Sequence, residues 1–242
     1  MGSITDFHQS FYKVDLPPIT LEHVELTLLT SRSISDLIAT LGQGRRLGVA
    51  ASYGKKCVLN ALAFSTSTRI LLITMDGNSR RLGRPKQILK NELLCDLSLE
   101  KHGFFMERLA AALYLDLGLY IQNAFDVISD GDRRGSMASY KNVLVRAQPQ
   151  YSINERVIKR TFAEKPFNLS KKQKFAVRAW GTYLGVQRFP DKPGAIDMAI
   201  SMSRLTSSLF DPGEDTPPST GTTTNGMAAS PNCVAYAEMS LG

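Results

Sequence analysis

The sequence predicts an α/β domain with a mixed sheet and C-terminal helices. Three consecutive apolar segments between residues 46 and 73 are separated by polar turns, which is typical of adjacent strands. Segments with helical apolar spacing lie on both sides of them, and strands that alternate with helices form a mainly parallel or mixed sheet. From residue 139 to residue 210 the pattern is almost entirely helical, with breaks at Pro149, Pro166 and the turn 190–194.

The first helix is predicted from Ile34 to Leu41, because its apolar residues recur at i, i+3, i+4 and i+7. Ser33 is its predicted N-terminal cap, since a serine hydroxyl can accept a hydrogen bond from the first turn. Residues 42–44 contain two glycines that end this helix and release the chain into the first strand. The three predicted strands are 46–52, 58–64 and 69–73.

A second helix is predicted over 86–95 and leads into a short segment, 97–103. The next helix, 106–115, combines strong helix formers with helical apolar spacing and is ended by Gly118. Residues 120–126 then read as a further strand. The sequence therefore predicts four strands and at least three helices before the helical C-terminal part.

The length and composition fit one domain with a tail. A chain of 242 residues with 43% apolar residues can bury a full core. We expect a flexible lead over residues 1–20, the domain over 21–210 and a disordered tail over 211–242. The tail prediction rests on the stretch 212–231, whose many Pro, Gly, Ser and Thr residues bury too little apolar surface to offset the entropy of ordering.

The cysteine pattern and the hydropathy favour a reduced, intracellular protein without a membrane segment. Cys57, Cys95 and Cys233 are too few and too scattered for a disulfide framework, and no zinc-binding spacing is present. No run of about 18 apolar residues occurs, and the N-terminus lacks the apolar core of a secretion signal. The sequence does not decide between nucleus and cytoplasm.

The charge is concentrated in the predicted domain. Residues 1–210 carry all 29 Lys and Arg residues but 18 of the 22 Asp and Glu residues, a net charge of +11. A basic domain favours polyanionic partners, with nucleic acid first among them. The alternative is a set of solvated surface lysines without a partner.

Three segments, in this order, carry a resemblance to a known family. They are the strand triplet, then Lys101-His102-Gly103 followed by a helix that leads to 116–120 and to Phe125-Asp126, and finally Leu169–Ala176. Their order resembles the ribonuclease D-like branch of the DEDD 3′–5′ exonucleases, over roughly residues 41–189. The last segment is similar to that family's Leu-Ser…Gln…Tyr-Ala helix. The resemblance implies a ribonuclease H-like fold of the DEDD exonuclease type.

The resemblance also implies a degenerate active site. Four carboxylates in this family hold two divalent metal ions about 4 Å apart, which stabilise the attacking and leaving oxygens. The first two carboxylates fall on Ala50 and Ser52, and the last falls on Ala179. The tyrosine that orients the attacking water falls on Phe175, which keeps the ring and lacks the hydroxyl. If the resemblance is accidental, the three small residues are ordinary core positions.

The position of the remaining acid has two alternatives. Counting back from Gly118 places it at Leu109, whereas counting forward from His102 places it at Glu107. Glu107 is therefore a candidate surrogate ligand, but a single carboxylate leaves a hard cation mostly hydrated and weakly held. We read Asp126 as a structural acid and His102 as a helix-entry or packing histidine.

These positions predict a domain without a confident catalytic residue and without a metal site. The favoured hypothesis is a 3′–5′ exonuclease-like domain that has lost catalysis and acts as a nucleic-acid-binding or protein-interaction module. One alternative is an active exonuclease with relocated ligands, which would require Mg²⁺ or Mn²⁺. The other is a protein scaffold that binds no nucleic acid. In that case a cleft lined by small and apolar groups would bind the protein partner, with the predicted tail as a tether. The residues of that cleft are Ala50, Leu109, Phe175 and Ala179.

One basic helix face is the candidate nucleic-acid contact. Lys171, Lys174 and Arg178 are spaced i, i+3 and i+7 and share a face, with Trp180 close by. Such a face can bind the phosphates of single-stranded RNA or DNA while an aromatic ring stacks on a base. In the alternative interpretation the face is merely solvated and Trp180 lies in the core.

Overall fold

The protein is built around one seven-stranded mixed sheet. The computed structural model describes residues 2–4, 18–42, 44–75, 83–127, 140–141, 144–145, 154–162 and 172–187. The spatial order of the strands is β1-β2-β5-β4-β3-β6-β7. Their bounds are β1 Gly2–Ile4, β2 Ile19–Glu25, β3 Arg46–Tyr53, β4 Leu59–Ser65, β5 Arg69–Thr74, β6 Glu100–Gly103 and β7 Ala124–Asp126.

The strand directions explain how the sheet is assembled. Strands β3, β4 and β5 form an antiparallel meander, because short turns connect them. Strand β2 pairs in parallel with β5, and β6 and β7 extend the other edge in parallel from β3. Strand β1 closes the first edge by antiparallel pairing with β2. The predicted α/β fold with a mixed sheet is confirmed.

Five α-helices within the described residues cover the two faces of the sheet. They are α1 Ser31–Ile38, α2 Arg84–Leu89, α3 Met106–Ala112, α4 Glu155–Phe162 and α5 Lys172–Gln187. Helices α2 and α3 each continue into a wider turn, Lys90–Leu94 and Leu113–Leu117 respectively. Residues 140–141 and 144–145 are also helical. Among the helices within the described part of the chain, none is long and apolar enough to span a bilayer.

Successive side chains along the strands point to opposite faces of the sheet and so contribute to two separate cores. On one face, large apolar side chains such as Leu47 and Phe64 pack against α1, α2 and α3. On the other face, smaller residues such as Ala61 and Ala63 pack against α4 and α5. We call these the large-residue core and the small-residue core. Because the side chains under α5 are small, that helix can lie close to the strands.

The structure corrects several predicted bounds. The first helix starts at Ser31, and its cap is Thr30, whose hydroxyl accepts a 3.3 Å hydrogen bond from the amide of Ser33. Ser33 itself is buried inside the helix. The short segment 97–103, to which the sequence assigned no secondary structure, contains β6. The strand predicted over 120–126 is limited to Ala124–Asp126, where pairing with β6 begins.

The structure describes part of the predicted N-terminal lead, residues 1–20, and none of the predicted C-terminal tail, residues 211–242. The lead assigned to residues 1–20 includes strand residues, since Gly2–Ile4 pairs with Ile19–Leu21. The domain start predicted at residue 21 therefore falls inside β2. The predicted tail, 211–242, lies outside the described residues, and so does most of the helical region predicted beyond residue 187.

Candidate functional site

A small cleft opens beside the second half of β3, at the edge of α5. Its volume is about 50 Å³, and it is bounded by β3, by the turn into α3, by the helical residue Tyr140, and by α4 and α5. We call it the β3 cleft. Its floor includes Ala50, its aromatic wall comprises four rings, and its polar side chains include Arg108, Arg178 and Thr182.

The aromatic wall consists of Phe104, Phe105, Tyr140 and Phe162. The ring of Tyr140 stacks on that of Phe162 with 4.6 Å between centroids, and Phe104 meets Tyr140 edge to face at 4.6 Å. Such pairs add roughly 0.5–1.5 kcal/mol beyond their area burial. The wall therefore holds a fixed shape beside the cleft.

The turn from β6 into α3 is also held rigidly. Phe105 adopts the left-handed region, with φ 59° and ψ 49°, which is uncommon for a bulky residue. Asp126 Oδ2 accepts a 3.1 Å hydrogen bond from the amide of Met106, the first residue of α3. This contact satisfies one of the unpaired amides of the first turn. It gives Asp126 the structural role predicted from the sequence.

Two arginine side chains reach the cleft from opposite helices. The guanidinium carbon of Arg108, on α3, lies 4.1 Å from the ring centroid of Tyr53. On α5, Arg178 Nε donates a 2.6 Å hydrogen bond to the carbonyl oxygen of Thr161. Cation–π stacking and a direct hydrogen bond both restrict the side chain. Both guanidinium groups are therefore held in place at the cleft.

Four predicted motif positions lie on or near the interface of β3 and α5. Ala50 is half-buried and lines the cleft. Ser52 is 3% exposed on the same strand, and Ala179 is completely buried in the small-residue core. Phe175 is also buried there, one turn before Ala179 on α5. The structure thus brings Ala50, Phe175 and Ala179 into one region of the small-residue core.

Neither alternative for the remaining acid is among the described residues that line the cleft. Leu109 is 2% exposed and packs in the large-residue core, on the opposite face of the sheet. Glu107 is exposed and is not among the residues that line the cleft. Arg108, which lies between them, does line it. Sequence reasoning missed Arg108; the signal was a basic residue between two candidate acid positions on a helix that enters the site.

The predicted basic face has a mixed outcome. Lys171 lies outside the described residues, Lys174 is half-buried, and Arg178 lines the cleft. Trp180 is 3% exposed and belongs to the small-residue core. The suggestion that Trp180 stacks on a base is therefore wrong, and the alternative position in the core is the observed one.

The packing role predicted for His102 is also observed. Its ring stacks on Phe125 with 4.8 Å between centroids, and its Nε2 lies 3.2 Å from Glu100 Oε2. Burial lowers the pKa of His102, and the neighbouring Glu100 carboxylate opposes that effect. The ring of His102 therefore packs between β6 and β7 within the sheet.

The donors present at the cleft do not fit a divalent metal ion. Mg²⁺ and Mn²⁺ require oxygen ligands, above all carboxylates. The described lining supplies no carboxylate and places two guanidinium groups there. Across the part of the chain that the structure describes, no group of three or more His, Cys, Asp or Glu side chains could hold a metal ion. The lining fits an anionic ligand instead.

Comparisons with known proteins give structural matches alone. Neither a protein-family model nor a curated protein matches the chain. The apo form of a nuclease is 12% identical with a TM-score of 0.50, over 83% of this chain and 99% of that chain. RNase D of Trypanosoma brucei in complex with GMP is 13% identical with a TM-score of 0.47, over 78% of this chain. NrnC of Brucella melitensis is 12% identical with a TM-score of 0.48, over 80% of this chain and 94% of that chain.

These matches concern the fold. The chain spans 63% of the length of the RNase D chain in that complex. The match to the nuclease, which covers nearly all of that protein, shows a shared fold. The predicted α/β fold class, with a mixed sheet and C-terminal helices, is confirmed.

Proposed function

We propose that the chain is a 3′–5′ exonuclease-like domain that has lost catalysis and binds single-stranded nucleic acid at the β3 cleft and along α5. The observation that carries this proposal is that basic side chains line the cleft where acidic ligands are expected. Where the fold would present acidic ligands to metal ions, the cleft presents Arg108 and Arg178. Two cations in this place disfavour a metal ion and favour a phosphate.

Loss of catalysis follows from the residues at the motif positions. Hydrolysis by two metal ions needs carboxylates that fix both ions and orient the attacking water. Ala50, Ser52 and Ala179 offer none, and Phe175 offers no hydroxyl to orient water. The side chain of Ala179 is also completely enclosed, so even an acid at that position would have no access to solvent.

Binding is supported by the charge of the cleft and of the adjoining helix. Guanidinium groups recognise phosphate oxygens through two parallel hydrogen bonds, with the planar fork already oriented. Lys172 and Lys174 on α5 are both partly accessible and add to the positive charge near Arg178. Most of the affinity for a single strand is then electrostatic and decreases with salt.

Retention and trimming should be measured on the same sample. We expect a 5′-labelled single strand of RNA or DNA to be retained in the presence of Mg²⁺ or Mn²⁺ without becoming shorter. The double variant Arg108→Gln/Arg178→Gln should lose retention. Its matched control is Arg156→Gln/Arg160→Gln, which removes two exposed charges from α4 outside the cleft.

The outcomes separate the three functional hypotheses. A metal-dependent ladder of shorter strands that disappears in the Arg108/Arg178 variant would establish an active exonuclease with relocated ligands. Neither retention nor trimming would favour the protein scaffold. Equal retention by the cleft variant and by the α4 control would exclude the cleft as the contact surface.

A further inference from the structure

We propose that the turn between β3 and β4, residues 54–58, is a second contact surface for single-stranded nucleic acid, outside the β3 cleft. We call it the β3–β4 turn. The ammonium groups of Lys55 and Lys56 make the contact, and they bind backbone phosphates of the strand. This inference rests on the proposed function and adds the path that a bound strand follows after it leaves the cleft.

The β3–β4 turn directly adjoins the cleft. Tyr53, the last residue of β3, lines the cleft, and the turn begins at the next residue. A chain extends by at most about 3.6 Å per residue, so the Cα atom of Lys56 lies within about 11 Å of that of Tyr53. Successive phosphates of a stacked strand follow one another about every 3.4 Å. A strand that lies in the cleft therefore reaches the turn within about three nucleotides.

The two lysine side chains of the turn are open to solvent. Lys55 and Lys56 are both exposed, and among the described residues neither ammonium group forms an ion pair or a hydrogen bond. Residues 54–58 include no acid. Asp116 contacts the hairpin through the amide of Leu59, at 2.7 Å, and pairs with neither lysine. Two ammonium groups without a protein partner on one turn attract the phosphates of a strand.

The backbone of the turn adopts a conformation that is unfavourable for its residues. Lys56 has φ 59° and ψ 28°, and Cys57 has φ 59°. Glycine or asparagine adopts this left-handed region at a lower cost. Residues held in such conformations concentrate at functional sites, where the side chain has a use that offsets the strain. The conformation therefore favours a role for the Lys56 side chain beyond closing the turn.

Hydrogen bonds hold the turn in place. The amide of Gly54 donates to the carbonyl oxygen of Val58 at 2.7 Å, and the amide of Val58 donates to the carbonyl oxygen of Lys55 at 3.5 Å. The strands pair directly beside it, where Tyr53 lies opposite Leu59. A fixed backbone presents both lysines in one place, while their flexible stems follow the strand. Because phosphate contacts carry no sequence information, we expect the turn to bind RNA and DNA without a base preference.

The first experiment measures the binding of a labelled single strand at several salt concentrations by fluorescence anisotropy. The turn variant, Lys55→Ala/Lys56→Ala, should bind roughly tenfold more weakly or worse near 0.1 M salt. Its slope of log K against log salt should be shallower by about 1.4, since two phosphate contacts of about 0.7 each are lost. Lys55→Arg/Lys56→Arg retains both charges and should bind as the wild type does.

A matched control removes two charges elsewhere. Arg32→Ala/Arg84→Ala, the helix control, changes two exposed residues of α1 and α2, which pack on the large-residue core. That core lies on the face of the sheet opposite to α5. The helix control should retain the affinity and the slope of the wild type. Circular dichroism and thermal unfolding establish that each variant is folded.

Cys57 provides a second readout within the turn. Its thiol is exposed, whereas Cys95 is half-buried and lies outside the turn. In a Cys95→Ser/Cys233→Ser variant, Cys57 is the one remaining cysteine and reacts with an uncharged maleimide. A saturating strand should slow this reaction several-fold. The same strand at saturation should not slow it when the two lysine substitutions of the turn variant are added.

The results distinguish this inference from the proposed function. If the wild type binds the strand and the turn variant has the same affinity and slope, the turn is not a contact surface and strand binding at the cleft stands. An equal loss in the helix control would reflect net charge alone and would also overturn the inference. So would an unchanged reaction of Cys57 at saturation, which decides alone if the turn variant unfolds. If the wild type binds no strand, the proposed function falls and this inference falls with it.

Discussion

Gly48 of β3 lies directly beneath the backbone of α5 at Ala179. A Cβ atom at Gly48 would overlap the carbonyl oxygen of Ala179 and would lie 2.5 Å from the amide nitrogen of Tyr183. The backbone of α5 therefore occupies the space next to the positions at which the family carries its metal ligands. The small residues at 48, 50 and 179 allow this close approach beside the β3 cleft.

The first prediction concerns this contact. Gly48→Ala should destabilise the protein by at least about 1–3 kcal/mol, because the added methyl meets backbone atoms that cannot rotate away. Gly42→Ala is the matched control, since a Cβ at Gly42 has no heavy atom within 4 Å. Urea unfolding of both variants measures the difference. Equal stabilities would show that α5 does not lie on β3 in this way.

The second prediction contrasts two substitutions of alanine by aspartate. Ala179→Asp should cost at least about 3 kcal/mol, because it buries a charge without a partner in the small-residue core. Ala50→Asp should cost less than about 1 kcal/mol, because its carboxylate would face Arg108 and Arg178 at the open cleft. Chemical denaturation at neutral pH compares the two. A larger loss for Ala50→Asp would contradict the assigned positions.

The third prediction concerns a buried lysine. The ammonium group of Lys101 is completely buried, and its Nζ donates to the carbonyl oxygens of Asp96 at 2.6 Å and Leu99 at 2.8 Å. Burial lowers the pKa of Lys101 from 10.5 to about 8. Between these two pH values the unfolded chain binds one proton more than the folded protein does, so the free energy of unfolding rises with pH.

The test measures the free energy of unfolding at several values between pH 7 and pH 10. Relative to Lys101→Met, the wild type should gain stability with a slope of up to about 1.4 kcal/mol per pH unit above pH 8. Lys159→Met removes an exposed lysine on α4 and serves as the control. A wild-type curve parallel to that of Lys101→Met would show that Lys101 titrates alike in the folded and unfolded states.

The fourth prediction concerns the salt dependence of strand binding. Each phosphate neutralised on a single strand contributes a slope of about −0.7 in log K against log salt. Changing Lys171, Lys174 and Arg178 together to Ala should therefore make the slope shallower by up to about 2. The control changes Arg156, Lys159 and Arg160, three exposed residues of α4, to Ala. An unchanged slope in the α5 variant would exclude α5 as the contact surface.

The parts of the fold that could be predicted are those with strong local patterns. The meander of β3, β4 and β5 was located to within one residue at each end, because its strands are apolar and bounded by turns. Strand β6 was missed because its residues, Glu100–Gly103, are polar or small and are buried only through tertiary contacts. The cap of α1 was misplaced because several Ser and Thr residues precede the helix.

The sequence located the strand and the helix that carry the motif positions of the candidate site. It did not indicate that two arginine side chains would line the cleft. Ala50, Phe175 and Ala179 could be found by the order of the motifs, since the strand and the helix that carry them were recognised. Arg108 could not be assigned, because a difference of one helical residue turns a side chain by about 100° and decides which core it faces. The hydrogen bond from Arg178 to Thr161 depends on α4, which no sequence pattern placed beside α5.

The most direct test of the account is a calorimetric titration of the wild-type protein with Mn²⁺. The central claim is that the ligand positions of a nuclease cleft hold Ala50, Ser52 and Ala179 instead of acids, so that the cleft no longer holds a metal ion. We expect no heat of binding beyond dilution at micromolar to millimolar Mn²⁺, because the described cleft lining offers two arginines and no carboxylate. One stoichiometric site of micromolar affinity would contradict it.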